Sequence, residues 1–206
     1  MNAGAQDAGA PSADELAVVP MAPLTDAQFI AIARSNPVNA ELLRRLPALG
    51  LPQCRLTAGC LFQALWNQRS GQPPDAGVSD YDVFYFDGSD LSWQAEDTVI
   101  RRAQALFADL NATVEIRNQA RVHLWYPQRF GAPYPPLQSA QDGIDRYLVE
   151  CTCVGIQVDT GQLYAPHGLG DLQAGRLRIN RKFGQPAMFA AKAASYRQRW
   201  PWLQVV

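Results

Sequence analysis

The chain has 206 residues, 48% hydrophobic and 18% charged, with a net charge of −1; this balance predicts one folded domain with a sizeable core and excludes disordered, collagen-like and strongly basic chains. No apolar run reaches the roughly 18 residues that a membrane helix needs, and the N-terminus lacks the basic and apolar regions of a signal peptide, which predicts a cytoplasmic protein. The small net charge hides an asymmetry: nine acids face two arginines between Asp75 and Glu115, whereas Leu172 to Val206 carries seven bases and no acid.

From residue 1 to about 23 the chain is rich in Ala, Gly and Pro with little to bury, so a disordered tail is predicted ahead of a single domain over 24–206. Thr25-Asp-Ala-Gln28 reads as a capping box opening a helix with Phe29, Ile30 and Ala33. Asn36 and Pro37 cap a second helix, to about Leu46, with Val38, Leu42, Leu43 and Leu46 inward. Short extended pieces lead to a helix over 59–67 with Leu61, Ala64 and Leu65 on one side. A polar loop over 69–77 precedes a strand over 78–87, where aromatic and β-branched residues favour extended backbone.

Ser89 or Ser92 caps the next helix, over about 93–110, with Val99, Ala103, Leu106 and Phe107 as its apolar stripe. Residues 113–117 alternate as a strand, Val114 and Ile116 to one face and Glu115 to the other. Asn118 caps a helix over 119 to about 128, and Ser139 with Asp142 starts a short one to 148. Residues 154–158 and 162–165 form a hairpin, 166–171 a loop, and 187–200 a last helix stopped by Pro201. The four cysteines, Cys54, Cys60, Cys151 and Cys153, form no C-x-x-C pair, and only His123 and His167 could assist them, so reduced, partly buried thiols are expected.

The chemistry gathers on the strand over 78–87. Side chains alternate along a strand, so Asp80 and Asp82 project from one face roughly 7 Å apart, while Tyr81, Val83 and Tyr85 turn to the core. Buried carboxylates need a cationic partner. Glu115 supplies a third acid on a strand after a crossover helix, and three acids on adjacent strands can hold two Mg²⁺ ions for an in-line displacement at phosphorus. Gly59, at a helix entrance, leaves room for a phosphate at the positive end of the helix dipole. The residues alone leave plainer readings open: a solvated strand entrance for the pair, an exposed edge for Glu115, a turn at Gly59. A D-x-D pair also serves sugar-nucleotide transferases, whereas an aspartyl phosphatase wants an apolar strand ending at its first Asp, which Ala76-Gly-Val-Ser79 is not.

Four stretches, Thr57-Ala-Gly-Cys-Leu-Phe-Gln-Ala-Leu-Trp-Asn67, Ser79-Asp-Tyr-Asp-Val-Phe-Tyr-Phe-Asp87, Val114-Glu-Ile-Arg-Asn-Gln-Ala-Arg-Val-His-Leu-Trp125 and Ala165-Pro-His-Gly-Leu-Gly-Asp-Leu172, resemble the polymerase-β-type nucleotidyltransferases. More narrowly they resemble a branch of small bacterial proteins of that fold. The similarity spans roughly residues 25 to 202. It implies an α+β fold with a central mixed sheet and flanking helices, Mg²⁺ (or Mn²⁺) held by Asp80, Asp82 and Glu115 as catalytic and metal-binding residues, and a nucleoside triphosphate as substrate. It implies nucleotide contacts from Gly59, Cys60, Asn118, Gln119 and Arg121, with a helix cap and exposed polar residues as the alternative for the last three.

Two departures stand out. Cys60 occupies a position where the superfamily usually has Gly or Ser, and the loop before Asp80 is long. The expected activity is transfer of a nucleoside monophosphate to an acceptor hydroxyl, on a protein, a small molecule or an RNA end. The alternatives are a non-catalytic nucleotide-binding or interaction module and a sugar-nucleotide transferase. Arg176, Arg178, Arg181 and Lys182 either reach phosphates or form a solvated basic face. No helix-turn-helix, RNP or zinc-finger pattern appears, so nucleic acid is not an expected partner.

Overall fold

The computed structural model describes residues 22–206. The tail predicted to be disordered lies outside them except for Ala22 and Pro23. The Thr25 hydroxyl accepts from the Gln28 amide while the Gln28 side chain accepts from the Thr25 amide, so the capping box opens α1 (Asp26–Ser35) as predicted. The Asn36 side chain accepts from the Val38 and Asn39 amides at the start of α2 (Pro37–Arg45), and a 3-10 turn follows. Next come β1 (Arg55–Thr57), α3 (Gly59–Arg69), β2 (Tyr81–Tyr85), α4 (Trp93–Leu106) and β3 (Val114–Asn118). A 3-10 turn at Gln119–Arg121 leads into α5 (Val122–Phe130) and then α6 (Ala140–Ile144). The chain continues through β4 (Gly155–Gln157), β5 (Leu163–Tyr164), α7 (Gly170–Ala174), β6 (Arg176–Leu177), α8 (Pro186–Arg199) and β7 (Gln204–Val205).

Five strands make one mixed sheet in the order β3-β2-β1-β4-β5. β2 and β3 run parallel across the α4 crossover, and the other neighbours are antiparallel. The register aligns Ile156, Leu56, Val83 and Ile116 in one buried row, flanked by buried Tyr81 and Tyr85. Phe29, Leu42, Leu61 and Ala103, from α1 to α4, join these side chains in one core. Burying each large apolar side chain contributes about 1.5–3 kcal/mol. The other face therefore carries what the core excludes: Thr57, Asp82 and Glu115 in one row, Arg55, Phe84 and Arg117 in the next.

The C-terminal segment is fastened by aromatic rings. Trp66 of α3 meets Trp200 at 5.1 Å and Tyr196 at 5.3 Å between ring centroids. Both indoles are buried and their N–H groups are used: Trp66 donates to the Leu172 carbonyl and Trp200 to Asn67 Oδ1. This interface brings the basic end of the chain beside the start of α3.

Several elements depart from the sequence expectation. The β2 ladder is shorter than 78–87, because Gly77 turns the chain at φ 62° before it and the Asp87 amide turns aside to Asn118 Oδ1 after it. The helix expected over 93–110 ends at Leu106, and the one expected from 119 begins as a 3-10 turn and runs through Pro127. The loop expected over 166–171 gives way to α7, and β6 pairs with β7 as a small parallel sheet. Two-residue strands carry no periodicity to read. All four cysteines are free and buried, as expected; burial pushes the Cys54 and Cys153 thiols up to about 12. Among the described residues no helix is long and apolar enough to cross a membrane.

Candidate active site

The site begins where β1 turns into α3. Ala58 holds a backbone conformation of φ 64°, ψ −144°, close to a region that only glycine populates freely. Gly59 follows, and a Cβ there would lie 2.5 Å from Gln63 Nε2, so the helix entrance accepts no larger residue without displacing Gln63. No side chain caps the first turn of α3; its Leu61 amide donates back to the Ala58 carbonyl, which leaves the Gly59 and Cys60 amides at the helix entrance. They sit at the positive end of the helix dipole.

Beside this turn stand the carboxylates. Asp82 lies between Thr57 on β1 and Glu115 on β3 in the sheet register, and neighbouring strands are about 4.8 Å apart. Asp80 immediately precedes β2 and accepts from the Ser79 hydroxyl at 3.1 Å. Burial first, then the charges of Asp80 and Glu115, push Asp82 up to about 7, against the opposing influence of Arg117 and Lys192. Glu115 is met by Arg117 at 3.5 Å. Among the described residues no three His, Cys, Asp or Glu side chains converge as a metal cluster. The donors nonetheless suit a hard divalent cation in kind: all are carboxylate oxygens, and the repulsion that raises Asp82 is what such a cation relieves.

A cleft of about 520 Å³ opens over Ala58, Gly59, Asp80 and Asp82. Three cations line it: Arg146, Lys192 and Arg199. Arg199 donates to Gln63 Oε1 at 2.7 Å and to the Ala76 carbonyl at 2.8 Å, tying the loop before Asp80 to the cleft. Arg146 lies over the Tyr134 ring at 5.0 Å with its Nε buried and without a partner. The facing wall is aromatic. Tyr126, Phe130 and Phe183 line it, and Tyr126 meets Phe130 at 4.6 Å and Tyr134 at 4.4 Å between centroids.

Of the residues singled out in the sequence, the structure brings Gly59, Asp80 and Asp82 to the cleft and places Glu115 one strand further, outside its walls. The Cys60 thiol does not face the cleft. It is fully buried and donates to the Thr57 carbonyl, so only its backbone amide remains for a ligand.

Asn118, Gln119 and Arg121, expected to contact the nucleotide, do not line the cleft, and their side chains are engaged within the fold. The Asn118 side chain accepts from the Asp87 and Ala120 amides and donates to the Asp87 carbonyl. Gln119 is buried against Gly143. Arg121 is buried in an ion pair with Glu96 and donates to the Leu91 carbonyl. Arg176 and Arg178 pair with Asp171, and Lys182 with Asp145. Sequence reading missed Arg146, Lys192, Arg199 and the aromatic wall, and only the excess of basic residues at the C-terminal end pointed toward two of the cations.

A mixed sheet with carboxylates on adjacent strands beside an open helix entrance defines a nucleotidyltransferase head-domain fold. The chain is similar to an NMR structure described as revealing a CCA-adding enzyme head domain, with a TM-score of 0.71, 22% identity, and coverage of 88% of this chain and 96% of that one. A family model described as Nucleotidyltransferase matches residues 44–205, and the chain belongs to that family. No curated protein sequence matches the chain. Family membership implies a nucleoside triphosphate substrate.

Proposed function

We propose that the protein moves a nucleoside monophosphate from a nucleoside triphosphate to an acceptor hydroxyl, with Mg²⁺ (or Mn²⁺) held by Asp80, Asp82 and Glu115. The observation that carries this reading is Asp82, pushed up to about 7 between two further acids at the mouth of a cleft that otherwise presents cations and a helix N-terminus. A divalent ion held by these residues would supply positive charge to offset that of the phosphates during in-line transfer.

The chain's own residues do the rest. The Gly59 and Cys60 amides receive triphosphate oxygens, and Lys192, Arg146 and Arg199 balance their charge. Tyr126, Phe130 and Phe183 give the base a surface to stack on. The acceptor oxygen bonds to the α-phosphorus as the bond to the bridging α–β oxygen breaks, pyrophosphate leaves, and a carboxylate of the set takes the hydroxyl proton.

Calorimetry tests the reading. The wild-type protein is expected to bind a nucleoside triphosphate only with Mg²⁺, and the double variant Asp80→Asn, Asp82→Asn to lose that binding while still unfolding cooperatively. Unchanged binding by the folded double variant refutes the assignment. The contact of Arg117 with Glu115 at 3.5 Å favours a second reading, nucleotide binding without turnover, because it occupies the third acid. Pyrophosphate release in the presence of an acceptor excludes it.

A further inference from the structure

The two arginines of the cleft differ in how they are held. Arg199 is engaged with Gln63 and the Ala76 carbonyl, whereas among the described residues the Arg146 side chain donates to no oxygen and its Nε is buried without a partner. The carboxylate next to it in sequence is not available, because Asp145 accepts from the Tyr164 hydroxyl and pairs with Lys182. Buried donors are nearly always satisfied, so an idle guanidinium on the wall of a cleft points to acceptors that arrive with the ligand.

The aromatic wall sets where those acceptors lie. The Arg146 guanidinium rests over Tyr134 at 5.0 Å, and Tyr134 packs against Tyr126 at 4.4 Å and Phe183 at 6.0 Å between centroids. A base stacked on Tyr126 or Phe183 therefore has the guanidinium beside its edge rather than over its face, as hydrogen bonds in the base plane require. Tyr126 and Phe130 together give a stacking surface two rings wide, which suits a purine better than a pyrimidine. No carboxylate or side-chain amide joins Arg146 on this wall: Asp80 and Asp82 stand by the helix entrance, and Gln63 is tied to Arg199.

Resting on the proposed transferase reading, we propose that Arg146 selects the base, and that the nucleotide it selects is guanosine triphosphate. Arginine offers five donors and no acceptor. Guanine turns two neighbouring acceptors, O6 and N7, toward such a fork, whereas adenine sets its 6-amino donor beside N7. Adenine thus meets Arg146 donor to donor. The charge of Arg146 serves the phosphates whatever the base; the directions of its N–H groups are what discriminate. Arg146 follows the short helix α6, far in sequence from the carboxylate strand, so no local motif announces the role.

The test uses the full chain with Mg²⁺ and the four nucleoside triphosphates, read by calorimetry. The wild-type protein is expected to bind GTP at least about tenfold more tightly than ATP, CTP or UTP. Replacing GTP by 7-deaza-GTP, which lacks one of the two acceptors, removes most of that preference and needs no variant. Arg146→Gln sets one donor beside one acceptor, the pattern that pairs with adenine. The folded variant is weaker toward every triphosphate through its lost charge, and it is expected to prefer ATP to GTP. An arginine that only balanced charge or held the fold would lower all four affinities alike and leave the GTP-to-ATP ratio unchanged.

Equal affinity of the wild-type protein for the four triphosphates, or a preference for ATP, CTP or UTP, overturns the base assignment and leaves the transferase reading standing. A GTP preference that 7-deaza-GTP shares, or that survives in folded Arg146→Gln, overturns the role of Arg146. Absence of Mg²⁺-dependent binding of every triphosphate strikes the transferase reading itself, and the base assignment with it.

Discussion

Replacing Asp82 with asparagine separates the two consequences of a crowded carboxylate. Burial and the neighbouring acids push Asp82 from its ordinary 3.8 up to about 7. The folded protein therefore binds an extra proton between those values. The resulting cost is absent below the unfolded pKa, grows as pH rises through the window, and is complete above about 7. At about 1.36 kcal/mol per pH unit, the interval amounts to about 4 kcal/mol, an upper bound because protein and water relax around the charge.

Asp82→Asn removes the charge at nearly constant shape. Without divalent ions the variant is expected to be more stable than wild type at pH 8 by up to about 4 kcal/mol, and by less than half as much at pH 5. Adding Mg²⁺ at pH 8 should raise the stability of the wild-type protein and leave the variant nearly unchanged. Urea unfolding in EDTA, followed by circular dichroism at both pH values, measures the difference. An equal effect at pH 5 and pH 8, or an asparagine variant less stable than wild type at pH 8, would refute the reasoning.

Two further perturbations probe the frame around the site. Ala58→Gly relieves the backbone at φ 64°, ψ −144° and is expected to stabilise the protein by about 1 kcal/mol in denaturant unfolding; a loss of stability would mean that the conformation carries no strain. Arg121→Met leaves the Glu96 carboxylate buried without its partner, which should cost about 3–5 kcal/mol while triphosphate affinity of the folded protein holds. Lost affinity at unchanged stability would return Arg121 to the nucleotide site.

The sequence by itself determined the local elements and the chemistry of the central strand. The caps at Thr25 and Asn36 were readable because they depend on residues only two or three positions away. The alternation of Tyr81, Val83 and Tyr85 with Asp82 and Phe84 fixed which side is buried, since a strand repeats every two residues. Neighbours in sequence also sufficed to place Gly59 at a helix entrance.

Tertiary structure alone decided which distant groups meet those carboxylates. Asn118 and Arg121 lie close to Glu115 in sequence, yet their side chains are held by Asp87, Ala120 and Glu96, because a buried polar group takes whichever partner the packing brings. Lys192 and Arg199 reach the cleft because α8 is locked to α3 through Trp66, Tyr196 and Trp200. The aromatic wall arises likewise from α5 turning Tyr126 and Phe130 toward the cleft. Contacts at such separations depend on how whole elements pack, and no local period in the chain encodes that.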